Sequence, residues 1–127
     1  MELSKAIIMS NQNQTIVKPA EVKQLVDMLQ YQSGSIVSHV LLKNKGGTVT
    51  LFAFDVGEGL SEHTAPFDAL VVVTDGEADI EIDGEGFRVR QGETILLPAN
   101  RPHAVKAATR FRMLLIMIRA EISSEIA

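Results

Sequence analysis

The stretch Asp75-Gly76-Glu77-Ala78-Asp79-Ile80-Glu81-Ile82-Asp83-Gly84-Glu85-Gly86-Phe87-Arg88-Val89-Arg90 decides the fold class. Ala78, Ile80 and Ile82 alternate with Glu77, Asp79 and Glu81, the period of a strand with one buried and one wetted face. Asp83-Gly84 is a two-residue turn, because glycine accepts positive φ without steric cost. Beyond it Phe87 and Val89 point inward, and Arg88 and Arg90 point outward, across from the acids. A good cross-strand pair of this kind contributes about 0.2–1 kcal/mol, so the charges support the register independently of the turn. Asp75-Gly76 reads as a second hairpin turn, leading back into a strand over Val71–Thr74.

Working outward, the same two-residue period recurs. Ile36, Ser38, Val40 and Leu42 alternate with Ser35, Val37, His39 and Leu41, and Gly46-Gly47 ends that run. Thr48–Phe54 is rich in β-branched and aromatic residues. On the other side Gln91-Gly92 turns the chain into Thr94–Leu97, which Pro98 stops. Ala104–Lys106 and Phe111–Ile118 complete the set. About eight to ten short strands separated by turns predict an all-β sandwich or barrel; it spans 35–120. The last strand is apolar on both faces, so one face meets the interior and the other meets the N-terminal segment or a second subunit.

Two N-terminal pieces precede the barrel. Residues 1–17, polar around Asn11-Gln12-Asn13-Gln14, read as a loose arm or an edge strand. Residues 18–30 read as one short helix: Val22, Leu25, Val26 and Leu29 share a face, and Pro19 suits a first turn.

Bulk properties narrow the function classes. A chain of 127 residues is one domain, 1–127, and 46% hydrophobic residues argue against disorder. A net charge of -4, with lysines and arginines scattered, offers no footprint for nucleic acid. Zero cysteines exclude disulfides, zinc knuckles and thiolate catalysis. The first residues do not resemble a signal peptide, and the longest apolar run, Met113–Ile118, is too short to span a bilayer. The expectation is a cytoplasmic protein without membrane or nucleic-acid partners.

Two further segments carry a resemblance. Gly57, five residues and His63, ending at Gly76, resemble the first motif of the cupin family. Gly92, five residues, Pro98, Asn100 where that family usually has glycine, and His103 resemble its second motif. The resemblance implies a small single-domain cupin of RmlC-like jelly-roll type, a double-stranded β-helix. It also implies a metal site, yet Ala65 stands where the family has its second histidine and Ala69 where it has its glutamate. His63 and His103 are the retained candidate metal ligands and the polar groups of a pocket. Asp68, re-aimed by a bulge near Pro66, and His39 are the candidates for a third ligand. Imidazole and carboxylate donors suit zinc, iron, manganese or nickel, and an unmetallated pocket is equally open. Two functions follow: a small-molecule-binding barrel, or a metal-dependent oxygenase or isomerase. A homodimer is expected, because small cupins commonly pair and the two-sided apolar last strand needs cover.

Overall fold

The structure is a computed structural model that describes the backbone of residues 7–10 and the whole of residues 17–120. Its strands are β1 (Ile7–Ser10), β2 (Ile36–Asn44), β3 (Gly47–Phe54), β4 (Gly59–His63), β5 (Phe67–Asp75), β6 (Glu77–Ile82), β7 (Glu85–Arg90), β8 (Thr94–Leu97), β9 (His103–Ala107) and β10 (Phe111–Arg119). They form a six-stranded sheet in the order β1-β2-β3-β10-β5-β8 and a four-stranded sheet in the order β4-β9-β6-β7. From β3 onward the chain passes repeatedly from one sheet to the other, which is the winding of a jelly roll. β1 lies at the edge of the larger sheet, parallel to β2; the remainder of the candidate arm, 1–6 and 11–16, lies outside the described residues. No helix among the described residues is long and apolar enough to cross a membrane.

Alternation explains the core. Inward residues of both sheets, among them Ile36, Phe54, Val71, Val73, Ile80, Phe111 and Met113, form one buried cluster. The rings of Phe54 and Phe111 stack with centroids 4.5 Å apart. Each such side chain, fully buried, contributes about 1.5–3 kcal/mol. The β6–β7 ribbon has the expected register: Asp79 opposes Arg88 and Glu77 opposes Arg90. Arg88 bridges the acids, at 2.6 Å to Asp79 and 3.0 Å to Glu77. Asp83 and Gly84 turn the ribbon with φ of 53° and 83°. Val89 is buried, whereas Phe87, across from Ile80, is exposed at the rim.

Two expectations are corrected. Asp75-Gly76 is a corner, not a hairpin: β5 belongs to the larger sheet and β6 to the smaller. Gly76 has φ of 76°, and a Cβ there would lie 1.9 Å from the Arg110 carbonyl oxygen. The glycine lets one sheet's chain pass against the other's.

The helix over 18–30 shrinks to a 3-10 turn at Leu25–Asp27. Ala20 has φ of 60° and Gln24 is extended, so no helical run can build up between them. The apolar stripe also lacks a surface to cover it, since Val22 is 96% exposed. Leu29 instead plugs a second cluster with Val37, Leu41, Leu51 and Ala53 on the outer face of the larger sheet. A polar latch holds the segment there. Buried Arg112 donates from Nε to the Leu29 carbonyl at 3.2 Å and from Nη1 to Asp75 at 3.2 Å. The Tyr31 hydroxyl donates to the same carboxylate, and the Arg112 guanidinium lies 4.4 Å from the Tyr31 ring centroid. Burial, then the hydrogen bond to Asp75, raise the Tyr31 hydroxyl well above its ordinary pKa, so it stays a donor.

Candidate functional site

His63 ends β4 and His103 begins β9, and the two are direct cross-strand partners. Strict alternation would not allow His63 to face inward. Leu60 is buried against the core, and His63 lies three residues further on, an odd step that reverses the face. The register shows the cause: Leu60 opposes Val105 while His63 opposes His103, so β4 holds one extra residue in a β-bulge. The bulge turns His63 back into the barrel. The ring centroids of His63 and His103 stand 4.4 Å apart, edge to face.

Both rings are tied in the same way. His63 Nδ1 lies 2.7 Å from the carbonyl oxygen of Ser61, and His103 Nδ1 lies 3.1 Å from that of Arg101. A carbonyl can only accept, so each Nδ1 carries the proton and donates it. Each neutral ring is left with a bare lone pair on Nε2. His103 is 8% exposed, and burial lowers its pKa, outweighing the Arg101 carbonyl, which raises it; the neighbouring His63 lowers it a little more.

The histidines stand in a cavity of about 50 Å³. Its other walls are apolar: Leu60, Ala65, Phe67, Ala69, Val71, Leu97, Val105, Met113, Leu115 and Met117. A water needs roughly 10–15 Å³ on this measure, so the cavity takes a few waters or a small organic molecule. Ala65 and Ala69 face this space, and their methyl groups leave room where longer side chains would fill it. Met113 and Met117 are part of the wall. Inward alternation in β10 is the signal that places them.

The other two candidates are not brought to the pair. His39 opposes Leu51 on the outer face of the larger sheet, across the sheet from the cavity. Burial lowers its pKa, and its Nδ1 is buried without a partner. Asp68 also faces outward, opposite Ile118, and its carboxylate accepts the Ala99 N–H at 2.9 Å. Asp68 therefore fixes the loop that delivers His103. Ala65 assists, its carbonyl accepting the Asn100 N–H at 2.8 Å. Asn100 has φ of 65°, a left-handed conformation that asparagine tolerates and that accounts for glycine at this place in the motif. Of the acids between Asp55 and Glu62, Asp55 is structural: Arg110, then the N–H groups of Gly34 and Val56, hold its carboxyl down at about 2.

The donor set falls short of a metal centre. Among the described residues no three of His, Cys, Asp and Glu gather in a group that could hold one. Two imidazole nitrogens fall short of the three protein ligands normal for a catalytic centre. The residues present do not fit a self-sufficient metal site.

Residues 50–119 match the family model of the cupin domain. A conserved protein of unknown function from Streptococcus pyogenes is 34% identical, with a TM-score of 0.78 over 84% of this chain and 93% of that one. A cupin 2 conserved barrel domain protein from Leptotrichia buccalis is 45% identical over 75% of this chain, which corresponds to 46% of that longer chain, with a TM-score of 0.71. A cupin superfamily protein from Desulfitobacterium hafniense is 25% identical over 82% of this chain and 95% of that one, with a TM-score of 0.76. No curated protein matches. Matched family model, shared architecture and the two paired motifs agree: the chain belongs to the cupin family.

Proposed function

We propose that the protein is a small-molecule-binding cupin whose ligand enters the barrel and is held by His63 and His103. The observation that carries this reading is the contrast within the cavity. Two polar groups, side by side, stand in a wall that is otherwise apolar. Few and convergent polar groups in an apolar pocket are the usual design of a small-ligand site. The test is to close the cavity without touching the histidines. Ala69→Leu should keep the fold and thermal transition while losing at least tenfold in affinity for any ligand found by screening. Undiminished binding by that variant would place the ligand elsewhere.

A second reading, a metal-dependent oxygenase or isomerase, is favoured by the two free Nε2 atoms. It needs a third donor, which the described side chains do not supply. Metal analysis of protein purified without chelator separates the readings. Stoichiometric zinc, iron, manganese or nickel that is lost in His63→Ala and His103→Ala would favour the enzyme.

The working unit in this proposal is a homodimer. On the outer face of the larger sheet Leu42, Val49, Ile116, Leu70 and Leu96 are successive cross-strand partners and form one apolar row. The N-terminal segment covers the neighbouring row at Leu51 and Leu114 and leaves the two ends of this one, Leu42 and Leu96, exposed. Leu42 is 54% exposed, Leu96 53% and the adjacent Ile118 60%. The row is self-complementary about Ile116: a two-fold axis along the strands sets Leu42 of one copy against Leu96 of the other. The same axis brings the exposed Lys45 end toward the exposed Asp68 end, opposite in charge. Sedimentation at micromolar concentration should give a dimer, and Ile118→Glu a monomer. A monomeric parent protein would overturn this assembly.

A further inference from the structure

We propose that the His63–His103 pair is a two-acceptor site, selecting small neutral molecules that bring hydroxyl or N–H donors and rejecting ligands that bring only carboxylate or carbonyl oxygens. The inference rests on the reading of the barrel as a ligand pocket and names the chemistry that pocket takes.

The argument starts from the backbone. A carbonyl oxygen has no proton to give, so Ser61 O at 2.7 Å and Arg101 O at 3.1 Å dictate which nitrogen of each ring holds hydrogen. The choice is the same at both residues, because each ring reaches the carbonyl two residues back along the chain. Among the described residues neither Nε2 has a protein partner, and neither is sealed from access. The cavity therefore presents two lone pairs and no donor. Its apolar walls offer nothing to reverse that polarity.

An incoming hydroxyl or amine N–H satisfies one lone pair, and a vicinal diol or a hydroxy-amine satisfies both. The rings stand with centroids 4.4 Å apart, close enough for one small molecule to reach both. A carboxylate meets lone pair against lone pair and also gives up its hydration on entering an apolar space. That desolvation is costly without a compensating donor. A site built to bond a hydroxyl discriminates strongly against an analogue that lacks it, because its own buried polar atoms are left unpaired.

Two measurements on chelator-washed protein test this. Long-range proton–nitrogen NMR of the histidine rings reads the tautomers directly at about pH 7.5, above the ordinary imidazole range. Both Nδ1 atoms should resonate as protonated nitrogens and both Nε2 atoms as bare ones. The reverse tautomer at either residue overturns the proposal. Then propane-1,2-diol and propionate, equal in heavy-atom count, are titrated to the same concentration. The diol should shift both Nε2 resonances and the methyl signals of Ala69 and Met117, at least tenfold more tightly than propionate. Equal or tighter binding of propionate, or diol binding that leaves Nε2 unmoved, overturns the selectivity. If neither probe moves a barrel methyl while the tautomers are as expected, the pocket reading itself falls and takes this one with it. The His63→Phe and His103→Phe variants should keep the fold and lose the diol response.

Discussion

The Asp68 carboxylate accepts the backbone N–H of Ala99 at 2.9 Å, across the loop that leads into His103. The acid nearest in sequence to the missing ligand position thus holds the loop behind the site. Asp68→Ala should lower stability by about 1 kcal/mol, less than is usual for a hydrogen bond to a charged acceptor because the carboxylate is exposed to water. It should weaken ligand binding through loss of order at His103 and leave the metal content unchanged. Asp68→Asn, whose amide oxygen still accepts, should recover most of both effects. A metal content that follows Asp68 would contradict this placement.

Gly76 cannot be replaced cheaply. Its φ of 76° disfavours any side chain, and a Cβ would meet Phe111 Cβ at 2.7 Å as well as the Arg110 carbonyl at 1.9 Å. Both obstacles are backbone or core, so neither can swing aside. Gly76→Ala should cost about 3 kcal/mol or more, by the sum of strain and overpacking. Urea denaturation at matched slope is the measurement.

Arg112 should act locally. Its guanidinium links Leu29 and Asp75 and lies over the Tyr31 ring, adding a polar tie to the apolar packing of this segment. Arg112→Met keeps the apolar stem but removes the donors. The barrel should survive, with a loss of about 1–2 kcal/mol because Asp75 retains contact with water. Limited proteolysis between Glu21 and Gln32 should accelerate, while hydrogen exchange in β5 and β10 stays slow. Arg112→Lys should not rescue, since one ammonium cannot reproduce the fork.

Asp55 predicts an acid limb. Its carboxyl titrates at about 2 in the folded chain against an ordinary 3.8. A depressed carboxylate contributes stability that is whole above the unfolded value and is lost as pH falls through the folded one. The thermal transition should therefore drop between about pH 4 and pH 2. Asp55→Asn should be less stable than the parent at neutral pH and converge with it near the bottom of that window. Parallel curves throughout would remove Asp55 from the cause.

Much of the fold was legible because side-chain alternation is local. The β6–β7 ribbon could be read from Ala78 to Arg90 with its ion pairs, because both strands and their turn are contiguous. Gly76 was legible as a turn, but a hairpin and a corner ask the same φ of a glycine. Only Arg110 and Phe111, distant in sequence, decide between them. The stripe from Val22 to Leu29 is a real period without a matching surface. At the site, the two histidines were legible through motif spacing. The way His63 reaches the interior was not, because a bulge leaves no mark on residue type, and for Asp68 the bulge was sought in the wrong strand.

The bulge in β4 makes the pocket tolerant of a change in strand length. Deleting Ser61 or Glu62 would remove no ligand-contacting atom and would restore regular pairing of β4 with β9. His63 would then stand two residues after Leu60, an even step, and would keep its inward face and its pairing with His103. The bulge absorbs the extra residue, so the length of β4 can differ by one at this place while the histidine stays inside the barrel.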